Sequence, residues 1–169
     1  MNFPIPAILG TLILSTTAQQ PTATLPTKPV RIAELAACPE TVRRTLASLL
    51  PKPIISEILL TTSGNRKIYS FETGTEDDGT DRETTYTIEA DGTLVRTARE
   101  IPLKDAPEPV RKALQQAAGK TAKVDDVEEV TSGNEITYRA ELESDGAGDF
   151  RITVSPSGTV LSTTPETDD

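Results

Sequence analysis

The densest run of chemistry-bearing side chains is Glu76-Asp77-Asp78-Gly79-Thr80-Asp81, which packs four carboxylates into six residues. Clustered hard oxygens are what a Ca²⁺ ion takes. The run lacks the EF-hand spacing and has no bidentate Glu at the required distance. The favoured reading is a solvated hairpin tip, because a second acidic tip recurs at Asp145 and Asp149 with Gly146 and Gly148. The other candidate is Cys38, the single cysteine. It precedes a helix start, where a thiolate would be stabilised. Free cysteine is nonetheless among the most buried residue types, so burial as a small hydrophobe is the expectation. One thiol cannot build an internal disulfide framework.

The chain contains no histidine. That removes the commonest general base, the imidazole of a triad and the commonest metal ligand. A Cys–His hydrolase pair is excluded for the same reason. Gly64, Gly74 and Gly79 are spaced as hairpin turns and lack the Lys-Ser/Thr that follows a phosphate loop. Two carboxylates could serve a glycosidase, but the Asp and Glu residues mark loops and exposed strand faces, and no pair stands out. No residue is therefore assigned a catalytic, cofactor-binding or metal-ligating role. The chain is expected not to be an enzyme and to need no cofactor.

Formal charge is −9, spread along the chain. Such a surface repels phosphate backbones and anionic membranes, which argues against nucleic acid as a partner. The apolar stretch Ala7 to Leu14 ends in Ser15-Thr16-Thr17-Ala18, small residues suited to cleavage before Gln19. Residues 1–18 read as a secretory signal peptide. The run falls short of the roughly 20 apolar residues that span a bilayer, so no membrane anchor is expected once it is removed. Residues 19–30 are Pro/Thr-rich and read as a disordered linker, and 163–169 as a disordered acidic tail. The expected location is outside the cytoplasm, periplasmic or extracellular.

Between these ends the sequence repeats itself. Cys38-Pro39-Glu40-Thr41-Val42-Arg43-Arg44-Thr45-Leu46 parallels Ala106-Pro107-Glu108-Pro109-Val110-Arg111-Lys112-Ala113-Leu114. Thr62-Ser63-Gly64-Asn65 with Tyr69 parallels Thr131-Ser132-Gly133-Asn134 with Tyr138, and Gly92-Thr93-Leu94-Val95 parallels Gly158-Thr159-Val160-Leu161. The matches keep their order, and their spacing changes only across loops, as a structural repeat requires. Pro-Glu suits the first turn of a helix. Val42, Leu46, Leu49 and Leu50, and Val110, Leu114, Ala117 and Ala118, then recur at helical spacing. Pro51 and Pro53 stop the first helix, and Gly119 caps the second. Four alternating runs follow each helix: 54–62, 67–72, 83–89 and 93–97, then 122–131, 135–143, 149–155 and 159–162. Ser-Gly-Asn, Asp-Gly and Ser-Gly turns separate them. The expected fold is α+β, a tandem of two α-β-β-β-β units at 31–103 and 104–162, each a helix on a four-stranded antiparallel sheet. A unit of this size is marginal alone, so the two are expected to pack together, one arrangement being with their sheets side by side.

The pattern resembles the PepSY and PepSY-like families. The resemblance rests on the Pro-x-x-Val-x-x-x-Leu helix openings at Pro39 and Pro107, and on the strands around Tyr69 and Tyr138. It continues in the hydrophobic strand, Gly turn and hydrophobic strand of 86–95 and 152–161. It covers nearly all of 31–162. The resemblance implies an exported module with a protein-binding or peptidase-inhibiting role, its partner an exported protein or peptide such as a peptidase. Tandem domains of this kind are similar in architecture to the secreted β-lactamase inhibitor protein, which binds across a concave sheet. With one cysteine and no Trp, this chain lacks that protein's paired disulfides and aromatic interface, which argues against a β-lactamase target. A second reading is a periplasmic sensor that binds a small ligand or cation through the acidic loops or a groove between the units.

Overall fold

Two prolines set where the helices begin. Pro39 and Pro107 hold extended ψ of 149° and 145° immediately before helices α1 (Glu40–Leu49) and α2 (Glu108–Ala118). Neither proline has an N–H to leave unsatisfied, and their carbonyls accept the first helical bonds from Arg43 and Arg111 at 3.0 and 2.9 Å. Glu40 and Glu108 complement the helix dipole in the first turn and pair with Arg44 and Lys112 one turn on, at 2.7 and 2.6 Å. The same helix face closes the loop before it. Arg43 Nε donates to the Cys38 carbonyl at 3.2 Å, and Arg111 donates to that of Ala106.

This is a computed structural model, and it describes residues 27–166 except 78–79, 121 and 145–147, with backbone alone at 75–77 and 80–81. The strands are β1 (Val30–Arg31), β2 (Ile55–Ser63), β3 (Arg66–Asp77), β4 (Thr80–Glu89) and β5 (Leu94–Glu100), then β6 (Ala122–Ser132), β7 (Glu135–Ser144), β8 (Phe150–Val154) and β9 (Val160–Pro165). α1 lies between β1 and β2, and α2 between β5 and β6. All nine join one antiparallel sheet in chain order.

That sheet corrects the expected architecture. The strands do not divide into two helix-on-four-strand units. β5 and β6 pair directly, Thr97 opposite Thr131 through to Glu100 opposite Glu128, so all the described strands form a single sheet. A strand edge carries unpaired N–H and C=O groups, and a neighbouring edge satisfies them. Alternation in the sequence says which face of a strand is buried; it does not say which edge finds a partner. A ninth strand also begins at Val30, the last residue read as linker. Val30 pairs with Leu60, and the Thr27 N–H donates to the Thr62 carbonyl at 2.8 Å. At the other end β9 continues through Thr163 and Thr164, past the point where the tail was expected to begin. The signal-peptide segment 1–18 lies outside the described residues.

Following the register from β3 to β8, Phe71 lies opposite Tyr86, Tyr86 opposite Thr97, Arg99 opposite Glu129, Glu129 opposite Tyr138 and Tyr138 opposite Val154. The strand residues of both cores therefore share one face of the sheet, and both helices pack there. One core gathers Val42 and Leu46 of α1 against Ile58, Tyr69, Phe71 and Ile88, with Cys38 at its margin. The other gathers Val110, Leu114 and Ala118 of α2 against Tyr138, Leu142, Ile152 and Val154. The buried row follows i, i+4 and i+8, while Leu49 and Ala117, expected on the stripe, are exposed. Each fully buried Leu or Val side chain contributes about 1.5–3 kcal/mol.

Between the cores lies a polar seam. Arg99 pairs with Glu129 at 3.0 Å, and Tyr138 Oη donates to the other Glu129 oxygen at 3.0 Å. Glycine turns lock each helix to the sheet. Gly92 and Gly158, at φ 97° and 86°, turn the chain into β5 and β9. They lie so close to the helix that an added Cβ would stand 3.1 Å from the Thr41 carbonyl oxygen and 2.7 Å from that of Pro109. In the first turn, Thr41 and Thr45 hydroxyls donate to the Ala90 and Gly92 carbonyls at 2.6 and 2.7 Å.

Candidate functional site

With both helices on one face, alternation sends every second strand residue to the other, which no described helix covers. This open face is polar. Around its centre stand Glu83 on β4, Arg96 and Glu100 on β5, Glu128 on β6, Arg139 on β7 and Arg151 on β8. Ala98 and Val130 lie opposite each other in the middle. They are only 2% and 7% exposed, although they are on the uncovered side. The stems of the long charged neighbours shield them, as amphipathic side chains do on a sheet. Glu128 is shared between Arg139 at 3.4 Å and Arg96 at 3.9 Å. One terminal nitrogen of Arg96 is buried without a hydrogen bond among the described residues. Burial, then the nearby Arg139 charge, holds its guanidinium below the usual arginine range. Arg151 pairs with Glu166 just beyond β9.

A bulge in β6 shapes the face. Pairing shifts between Asp125 and Glu128, and Asp126 takes φ 42°, an uncommon value for a residue with a side chain. Val127 turns into the core and Asp126 remains exposed. Three adjoining hollows meet there. The first, of about 270 Å³, lies beside the helix-side core, where Ile101, Leu103, Val124 and Val127 line it together with Arg82, Glu100 and Asp126. The second, of about 340 Å³, lies between Glu83, Thr85, Ala98, Glu100, Asp126 and Glu128. The third, of about 200 Å³, is bounded by Asp126, Glu128, Arg139, Glu141 and Arg151. The Glu83 amide donates to Glu100 Oε2 at 3.2 Å, which ties that carboxylate to β4. Local burial, then the charges of Glu72, Glu100 and Asp126, hold the Glu83 carboxyl above the usual carboxylate range. Burial and Glu166 do the same to Glu141.

The residues singled out in the sequence lie elsewhere. Of the acidic run 76–81, residues 78–79 are outside the described residues, as are the neighbouring side chains, and so is Asp145. Asp149 accepts a hydrogen bond from the Ser144 amide at 2.9 Å. Cys38 is buried, and burial pushes its thiol up. Among the described residues, no three His, Cys, Asp or Glu side chains are grouped so as to hold a metal ion. The hollow carboxylates escaped sequence reading because they come from three successive strands and meet only through the pairing of those strands. One signal was present: the doublets Asp125-Asp126 and Glu128-Glu129 break the alternation of β6, and the bulge falls between them.

No family model matches the chain, and no curated protein matches it in sequence. Solved structures do match in fold. A BLIP-like protein of Bacteroides fragilis aligns at TM-score 0.56 and 18% identity, over 78% of this chain and 89% of that one. A DUF2874 family protein of Bacteroides ovatus aligns at TM-score 0.57 and 16% identity, over 76% and 87%. A protein of Bacteroides eggerthii, provisionally described as periplasmic, aligns at TM-score 0.58 and 17% identity, over 76% and 88%. The chain shares their fold. At such identity the likeness extends to the fold and carries no residue roles with it. Among the described residues no helix is long and apolar enough to cross a membrane.

Proposed function

We propose that this chain is an exported, non-enzymatic protein-binding module that docks its partner on the open face of the sheet. The observation that carries this reading is the placement of both helices on one face, which leaves the other without a helix among the described residues and furnished with charged side chains around hollows. Export is supported by the signal-like segment before Gln19 and by the periplasmic description of one fold neighbour. A binding role is supported by the PepSY-like helix openings at Pro39 and Pro107 and by the BLIP-like neighbour. The absence of histidine supports the non-catalytic reading. An exported peptidase is the partner class that the family resemblance favours.

Photo-crosslinking tests the docking face. A photoreactive amino acid is placed at Thr87 or Thr137 on the open face, or at Ser48 on the outer side of α1. Incubated with the exported protein fraction and irradiated, the first two positions should form adducts with a discrete protein and the third should not. Adducts from Ser48 alone, or from no position, would sink the proposal.

A further inference from the structure

β5 and β9 are equivalent strands with unequal edges. With Gly92 matched to Gly158, Leu94 and Val95 correspond to Val160 and Leu161, Thr97 to Thr163, and Arg99 to Pro165. Both strands carry the same irregularity, where Leu94 lies opposite Ile88 and Val160 opposite Val154. The outer edge of β5 is filled by β6. There the Ile101 N–H donates to the Val127 carbonyl at 2.8 Å, and the Ser132 hydroxyl donates to the Val95 carbonyl at 3.1 Å. Nothing among the described residues pairs with the outer edge of β9. The Glu166 N–H donates to the Asp149 carbonyl, just before β8, at 2.9 Å. Backbone groups alternate between the two edges of a strand, so Thr163 presents its N–H and C=O outward, and Pro165 its C=O alone. Exposure follows the pairing: Val95 is half-buried, whereas Leu161 is 52% exposed.

Charge distinguishes the strands that could fill this edge. β6 is acidic where it meets β5, and Arg96 and Arg99 answer Glu128 and Glu129 at 3.9 and 3.0 Å. At those two places β9 has Ser162 and Pro165, and no side chain from Val160 to Pro165 is charged. An acidic strand like β6 finds no cation there, while a neutral strand with apolar residues is matched. β9 is itself such a strand. We propose that a second copy of this chain covers the edge, β9 pairing with β9 antiparallel about a two-fold axis at Thr163. Each copy's Thr163 then gives and receives a backbone bond. Leu161 comes opposite the other copy's Pro165, which accepts a bond without having to donate one. The contact is the same patch on both copies, so it stops at two. The far end of the sheet offers no rival edge, since β1 is two residues long and carries Arg31. Six residues of strand edge fall short of the roughly 800 Å² per partner of a standard interface, so the dimer forms only at high concentration.

Sedimentation velocity of the full chain, from about 10 μM to about 1 mM, should show monomer giving way to dimer with no larger species. Leu161→Lys puts a cation on each facing edge, and Thr163→Pro removes the outward N–H; each should weaken dimerisation about tenfold or more. Circular dichroism checks that both variants fold, and if Thr163→Pro does not, Leu161→Lys decides alone. Thr137→Lys, on the open face, should leave the dimer unchanged. The Thr163 amide should exchange with solvent more slowly as concentration rises. Monomer up to about 1 mM would overturn the proposal and leave the edge to a strand of another protein. A dimer that survives both edge substitutions, or that Thr137→Lys disrupts, would place the contact elsewhere and overturn it too.

Discussion

The two faces of the sheet are built from the same strands and obey different rules. On the helix side, Phe71, Ile88, Leu142 and Val154 are fully buried against α1 and α2, and these positions are apolar because a helix covers them. On the open side, Glu83, Glu100, Glu128 and Arg139 line hollows that no described helix closes. The first face holds the fold together. The second contributes little to it, since exposed ion pairs are worth about 0–1 kcal/mol each. Its side chains are thus free to be chosen for a partner.

Matched substitutions in the helices should break the helix side most strongly. Leu46→Ala and Leu114→Ala each empty a fully buried site and should cost about 2–5 kcal/mol in urea unfolding. A loss under about 1 kcal/mol in either would mean that its core collapses around the gap. The next effect tests the helix–turn contacts. Gly158→Ala places a Cβ 2.7 Å from a backbone oxygen at positive φ, and should cost about 1–3 kcal/mol. Gly92→Ala meets its nearest atom at 3.1 Å and should cost less. The reverse order would show that α2 shifts more easily on the sheet than α1.

The open face should respond weakly. Glu128→Gln removes the charge shared by Arg96 and Arg139, and should change stability by no more than about 1 kcal/mol while altering any partner's affinity. A larger loss of stability would make Glu128 part of the fold's own support and blur the contrast between the faces.

The smallest expected effect is in the pH dependence. Glu83 and Glu141 have folded carboxyls held above the usual value, so the folded state binds their protons more tightly than the unfolded one. Their contribution to stability is present below the unfolded value and is lost as pH rises through the window just above it. Glu40, held low by Arg44, and Asp91, held low by the Thr93 amide, contribute oppositely: theirs is present above the usual value and lost as pH falls below it. The Tm difference between wild type and Glu83→Gln should therefore move against the wild type as pH rises through that upper window. Movement the other way would mean that Glu83 is compensated within the chain.

Much of the helix side could be read from the sequence. Pro39-Glu40 and Pro107-Glu108 mark helix starts because proline fits only where the N–H is unbonded. Val42 and Leu46, like Val110 and Leu114, identify the buried stripe by period alone. Strand positions followed from alternation and from the Gly turns, which are local signals. Leu49 and Ala117 were placed on the stripe and are exposed, because the sheet contacts a narrower arc of each helix than hydrophobicity suggests. The open face could not be read in the same way: a carboxylate that faces solvent and one that faces a hollow have the same place in an alternating pattern.

What the amino-acid sequence determined by itself is local and chemical: two Pro-started helices, the alternating strands with their glycine turns, a net charge of −9, a single thiol and no imidazole. Those features depend on residue type and short spacing, and both are written along the chain. The tertiary structure alone decided that β5 would pair with β6, that β1 would be drawn in at the edge, and that Glu83, Glu100, Asp126 and Glu128 would meet around one hollow. Edge pairing is made by backbone groups that every residue carries, so side-chain identity scarcely encodes it. The hollow exists because that pairing brings β4, β5 and the bulge of β6 side by side, and a bulge sends to the open face a residue that plain alternation would place elsewhere.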